Sequence, residues 1–132
     1  MSRENVETVQ RALDAMNHRD VDRYLTCCTD DVELQPPSSA IEGAYEGRAG
    51  IRRFFAEVED TGPDFHLDAD SIEAVGPNRV IAFLRATATG RASGAATSLP
   101  VTNVYDLADG RIRRVRVFQD RAAAIEATEL PE

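Results

Sequence analysis

Asn103, Tyr105 and Gln119 are the polar side chains whose spacing places them among apolar neighbours. Leu99, Val101, Asn103 and Tyr105 fall on alternate positions of one extended stretch, and Val115, Val117 and Gln119 do so on the next, so each set shares one strand face. A face made mostly of Leu and Val turns inward. Its isolated polar groups then need a partner, a water or a ligand to offset a desolvation cost of about 1–3 kcal/mol each. An amide both donates and accepts, which makes Asn103 suited either to orient an oxygen of a bound molecule or to bond within the protein. Tyr105 and Gln119 carry the same two readings. Tyr24 lies on the apolar stripe of a short helix, as a core aromatic or with its hydroxyl at the rim of the same region.

Proton transfer would need a base, and His66 and Asp120 are the candidates. His66 shares strand parity with Asp68 and Asp70, a pattern that also describes a solvated face, and Asp120 stands where the N-cap of a last helix belongs. His18 and His66 are far apart, without a carboxylate or Cys at ligand spacing, so neither a metal nor another cofactor is expected. Cys27 and Cys28 are adjacent, poor geometry for an ordinary disulfide, and read as buried thiols in a reducing compartment. Arg114 and Arg116 fall on the face opposite Val115 and Val117, as partners for acidic groups at the solvent or at a dimer face.

The elements that must carry these groups are legible from periodicity. Val6, Val9, Leu13 and Met16 mark a first helix starting near Ser2 as N-cap, and Asp20 caps a second with Val21, Tyr24, Leu25 and Cys28 on one face. Val32 to Gln35 alternates as a short edge strand, halted by Pro36-Pro37, and the stretch from Ser38 to Gly47 is a loop. Ile51, Phe54, Phe55 and Val58 mark a third helix, stopped by Gly62-Pro63. Four strands follow, Phe65 to Val75, Arg79 to Thr89, Thr97 to Leu107 and Arg111 to Gln119, with Asp109-Gly110 as a two-residue hairpin turn. The fold class is α+β: α-α-β-α and then an antiparallel meander, with helices on one face of a curved sheet and a cone-shaped pocket at its uncovered end.

The chain has 132 residues, 42% of them hydrophobic and 29% charged, the size of one domain spanning residues 1–132. Its 15 basic residues are all Arg and stand against 23 acidic ones, a net charge of −8. That field repels phosphate, so a nucleic-acid partner is not expected. The polar N-terminus lacks the apolar run of a signal peptide and no window suits a membrane span, which points to a cytoplasmic protein. Ile81 and Phe83 alternate with Ala82 and Leu84, and Phe118 opposes Val117. Strands apolar on both faces predict a homodimer covering the convex side.

Three patterns, Asn17-His18-Arg19-Asp20 before Asp30-Asp31-Val32, Gly47-Arg48-Ala49-Gly50-Ile51-Arg52-Arg53-Phe54-Phe55, and Asp109-Gly110-Arg111-Ile112 leading to Arg116-Val117-Phe118-Gln119-Asp120, occur in this order and spacing. Together they resemble the nuclear-transport-factor-2-like superfamily with its cystatin-like fold, in particular the SnoaL-like polyketide cyclase and ketosteroid isomerase branch. The resemblance implies an apolar pocket between sheet and helices, a dimer through the outer face, and a cofactor-free isomerase, cyclase, dehydratase or hydrolase, or a protein that only binds or assembles. In the register of ketosteroid isomerase-like members, Pro36 stands at the base, Ala12 at the tyrosine and Asn103 at the second acid. In that of limonene epoxide hydrolase-like members, Arg85 stands near the arginine, and Thr87 and Val117 at the two carboxylates. Both catalytic sets are thus broken. The expectation that remains is an apolar pocket for a small carbonyl-bearing or cyclic molecule, with Asn103, Tyr105, Gln119 and Tyr24 as contacts.

Overall fold

The computed structural model describes residues 2–37, 43–61, 64–89 and 96–129. Helix α1 (Ser2–Asn17) and the short α2 (Val21–Thr26) lead into β1 (Cys28–Gln35), followed by the two-residue β2 (Tyr45–Glu46) and α3 (Gly47–Thr61). The second half is β3 (His66–Ala74), β4 (Arg79–Thr89), β5 (Ala96–Ala108), β6 (Arg111–Phe118) and α4 (Arg121–Thr128). All strands join one sheet of order β2-β1-β6-β5-β4-β3, antiparallel except for the β1–β6 pair. This is the expected α+β layout, with corrections in its first half.

Ser2 is already helical rather than the cap of α1. Cys28 opens β1 instead of closing α2, because the helix ends at Thr26 and the chain turns at Cys27. Nor is β1 an edge strand: β6 pairs with it on one side and β2 on the other, through Glu33↔Glu46 and Leu34↔Tyr45. Pro36 and Pro37, which offer no N–H to a ladder, do end it. The loop predicted from Ser38 to Gly47 gives way at its end to β2 and the first residue of α3, its part over 38–42 lying outside the described residues, as does the 62–63 helix stop.

The turns are built as the sequence dictates. Asp109 and Gly110 both hold positive φ, 52° and 76°, the conformation a two-residue hairpin turn demands. Asp20 accepts a hydrogen bond from the Arg23 N–H at 3.1 Å, capping α2. Gly50 has another reason to be glycine: a Cβ there would stand 2.8 Å from the Tyr45 backbone, so only glycine lets α3 lie this close to β2.

The sheet has two apolar faces, and different helices cover them. On the inner face Val80, Ala82 and Leu84 of β4, with Tyr105 and Leu107 of β5 and Ile112 and Val115 of β6, join Val9, Ala12, Leu13 and Met16 of α1 and Ile51 and Phe55 of α3 in the main core. An extra residue at Arg113 lets Ile112 and Val115 face inward although three positions apart. On the outer face Ile81 and Val104 pack with Ala124 of α4, flanked by Val75, Phe83 and Phe118. The helices thus do not all lie on one face as expected: the chain's own last helix covers Ile81 and Val104 and leaves Phe83 and Phe118 partly buried on the face where the alternation pattern predicts a second copy. Under the end of that helix lies Asp106, wholly buried, accepting from Arg79 Nε and Arg114 Nε at 2.7 Å each and from Arg116 Nη2 at 3.4 Å. Arg79 also donates to the Thr128 carbonyl at 3.2 Å, tying the C-terminus of α4 to the sheet. Arg114 and Arg116 do lie opposite Val115 and Val117, and their acidic partner is within the chain.

No helix among the described residues is long and apolar enough to cross a membrane.

Candidate functional site

Between the inner sheet face and the helices lies a pocket of about 170 Å³. Leu13 and Met16, one turn apart on α1, form part of its wall, with Tyr24 of α2 and Phe54 of α3 beside them. The sheet contributes Leu34 of β1, Leu67 of β3, Ala86 of β4, Val101 of β5 and Val117 of β6, on the face that the pleat turns inward. Leu67 and Ala86 are register partners across β3 and β4. Asn103, Tyr105 and Tyr24 are the polar residues of this lining.

The three polar groups are neutral. Asn103, 7% exposed, donates from Nδ2 to the Tyr105 hydroxyl at 3.0 Å, while its Oδ1 is buried with no hydrogen-bond partner among the described residues. Burial pushes the Tyr105 hydroxyl up to about 12, against a smaller opposing effect of the Asn103 hydrogen bond. Burial likewise raises Tyr24 well above its ordinary value, with Cys28 and Tyr105 adding to the rise. Both phenols are therefore protonated near neutrality. Tyr24 is fixed by an edge-on contact with Phe55, ring centroids 5.1 Å apart. The thiol of Cys28 donates to the Tyr24 carbonyl at 3.4 Å and is pushed up to about 12, chiefly by burial, so it is no thiolate nucleophile at neutral pH. Both cysteines are free and buried.

The remaining candidates stand elsewhere. His66 lies across from Thr87 on the outer sheet face, about half exposed, with Nε2 3.1 Å from Asp68 Oδ1. Asp120 accepts from the Ala122 N–H at 3.0 Å and caps α4. Neither belongs to the pocket lining, which among the described residues contains no carboxylate or imidazole. Gln119 follows the end of β6, exposed and outside the lining, because the strand stops at Phe118 and the parity argument ends with it. Leu99, expected inside, is 56% exposed. Arg85 stands across from Asp68 in the β3–β4 register and donates to the Ser98 hydroxyl at 3.4 Å, outside the pocket lining. No group of three or more His, Cys, Asp or Glu side chains that could hold a metal occurs among the described residues.

Two residues that position the pocket escaped the sequence reading. Asn17, at the end of α1, donates to the Leu67 carbonyl at 2.9 Å and accepts from the Leu67 N–H at 2.8 Å. Arg19, held at φ 57°, donates to the carbonyls of Met16 and Phe65 and lies over the Phe65 ring. The pair ties the start of β3, with Phe65 and Leu67 of the pocket wall, to the α1–α2 turn. The signal was the Asn-His-Arg-Asp break itself: a left-handed residue flanked by side chains able to bond to backbone.

A sequence model of the SnoaL-like domain matches residues 9–115. No curated protein matches the sequence. Among solved structures, TerC co-crystallised with polyporic acid is 24% identical, with 96% of this chain and 99% of that one covered and a TM-score of 0.78. A putative SnoaL-like polyketide cyclase from Jannaschia sp. CCS1 is also 24% identical, over 98% of this chain and 94% of that one, with a TM-score of 0.78. SalBIII, an epoxide hydrolase/cyclase-like enzyme of pyran ring formation in the polyether salinomycin, is 20% identical over 92% and 96% of the two chains, with a TM-score of 0.77. At these identities the likeness is one of fold.

Proposed function

The chain belongs to the SnoaL-like domain family, and on that premise we propose that it binds one small, uncharged, largely apolar molecule in the pocket between helices and sheet. The observation that carries this reading is the lining itself: among the described residues it holds apolar side chains with three neutral polar groups, Asn103, Tyr105 and Tyr24, and no base. An apolar cavity of about 150 Å³ suffices to take up benzene, so this one has room for a ring. Among the described residues proton abstraction has no agent here, since both phenols are acids held protonated and no carboxylate or imidazole lines the pocket. Binding therefore accounts for the pocket better than isomerisation or hydrolysis does, and His66 and Asp120 keep surface and capping roles.

Cyclisation, the chemistry for which the Jannaschia protein and SalBIII are named, is supported here by Tyr105 alone, a buried phenol able to donate a proton or hydrogen bond to a ligand oxygen. The test is a titration of isotope-labelled protein with indane, followed by nuclear magnetic resonance. Saturable shifts confined to Leu13, Met16, Leu34, Val101 and Val117 support the reading; no shift at millimolar indane overturns it.

A further inference from the structure

We propose that the molecule held in the pocket carries a hydroxyl, seated against Asn103 and Tyr105 so that it donates one hydrogen bond and accepts another. This rests on the binding reading above and adds to it the polar chemistry of the ligand. Asn103 and Tyr105 stand two residues apart on the inner face of β5, and both line the pocket. The amide Nδ2 donates to the Tyr105 hydroxyl oxygen at 3.0 Å. Having accepted that bond, the tyrosine keeps its own hydrogen to donate. The amide Oδ1, buried and without a donor, is the second unused group.

The pair thus offers one donor and one acceptor, side by side, in an otherwise apolar wall. A hydroxyl matches both, its hydrogen going to Asn103 Oδ1 and its oxygen accepting from Tyr105. A ketone satisfies the tyrosine and leaves Oδ1 stranded, and a hydrocarbon satisfies neither. A carboxylate would lose its hydration with no cation among the described lining residues to replace it. Turning the amide over would reverse the selection: Tyr105 would donate to Oδ1, and the N–H groups would favour a carbonyl. Hydroxyl against carbonyl is therefore the contrast that reads the site.

Indane, 1-indanol and 1-indanone share one ring frame and differ at one carbon. Titrated into the wild-type protein by nuclear magnetic resonance, 1-indanol should bind at least tenfold more tightly than either of the others. In Asn103→Leu that preference should fall below threefold, and Tyr105→Phe serves as the second variant if the first does not fold. Tightest binding of 1-indanone overturns the inference in favour of the reversed amide. Equal affinity for all three, or a preference that survives both substitutions, overturns it while the pocket remains a binding site. Failure of all three to bind overturns the binding reading as well.

Discussion

Asn17 and Leu67, fifty positions apart, are joined by two hydrogen bonds in which a side-chain amide stands in for a neighbouring strand. β3 is the last strand of the sheet, so the backbone groups on its outer side have no ladder partner. Asn17 takes both groups of Leu67 and so fixes the wall of the pocket to the end of α1.

Asn17→Ala should destabilise the protein by about 1–3 kcal/mol, since it strands a backbone donor and acceptor in a part-buried setting. Hydrogen exchange should show the Leu67 amide losing protection more than the amides of β5. Equal loss in both strands would mean that Asn17 acts on global stability and not on the edge of the pocket.

Ala86→Leu should fill the pocket. Ala86 lines it beside its register partner Leu67, and cavity-filling changes commonly add about 0.5–2 kcal/mol of stability. The melting temperature is expected to hold or rise while the affinity for indane falls more than tenfold. Unimpaired indane binding would place the ligand outside this pocket.

Asp106→Ala should cost about 3–5 kcal/mol, because it leaves Arg79 buried without its carboxylate. The carboxyl also gives stability a pH dependence. Burial alone would raise its pKa, but the hydrogen bonds and charges of Arg79 and Arg114 outweigh that and hold it below the ordinary value. A lowered folded pKa contributes stability in full above the unfolded value of about 3.9, lost as pH falls through the folded one. Urea denaturation from pH 6 downward should show this acid loss in the wild type and a weaker one in Asp106→Asn.

Asp120→Ala and His66→Ala separate support from binding. Removing the cap of α4 should cost about 1 kcal/mol, and His66→Ala, at an exposed position, should stay within about 0.5 kcal/mol of wild type. Neither should change indane affinity, and a tenfold change in either variant would return that residue to the site.

The sequence by itself determined the elements and the facing of their side chains. Local period suffices for that: the 3.6-residue stripe of α1 and the alternation along β4, β5 and β6 state which side is apolar, whatever covers it. For the same reason Asn103 and Tyr105 were legible as polar groups on an inward face, and Asp20 and Asp120 as caps. Only the tertiary structure decided what meets each face. Alternation cannot distinguish a helix of the same chain from a second copy, so α4 over Ile81 and Val104 was invisible. Strand parity persists in a sequence past Phe118, where β6 ends, which is why Gln119 was expected inside; Leu99 is paired with Ala86 and exposed all the same, because parity names a side of the sheet and not what covers it. Pairings across long stretches, Asn17 with Leu67 and Asp106 with Arg79, leave no local trace, because hydrogen bonds and charges act through space at distances that the fold alone sets.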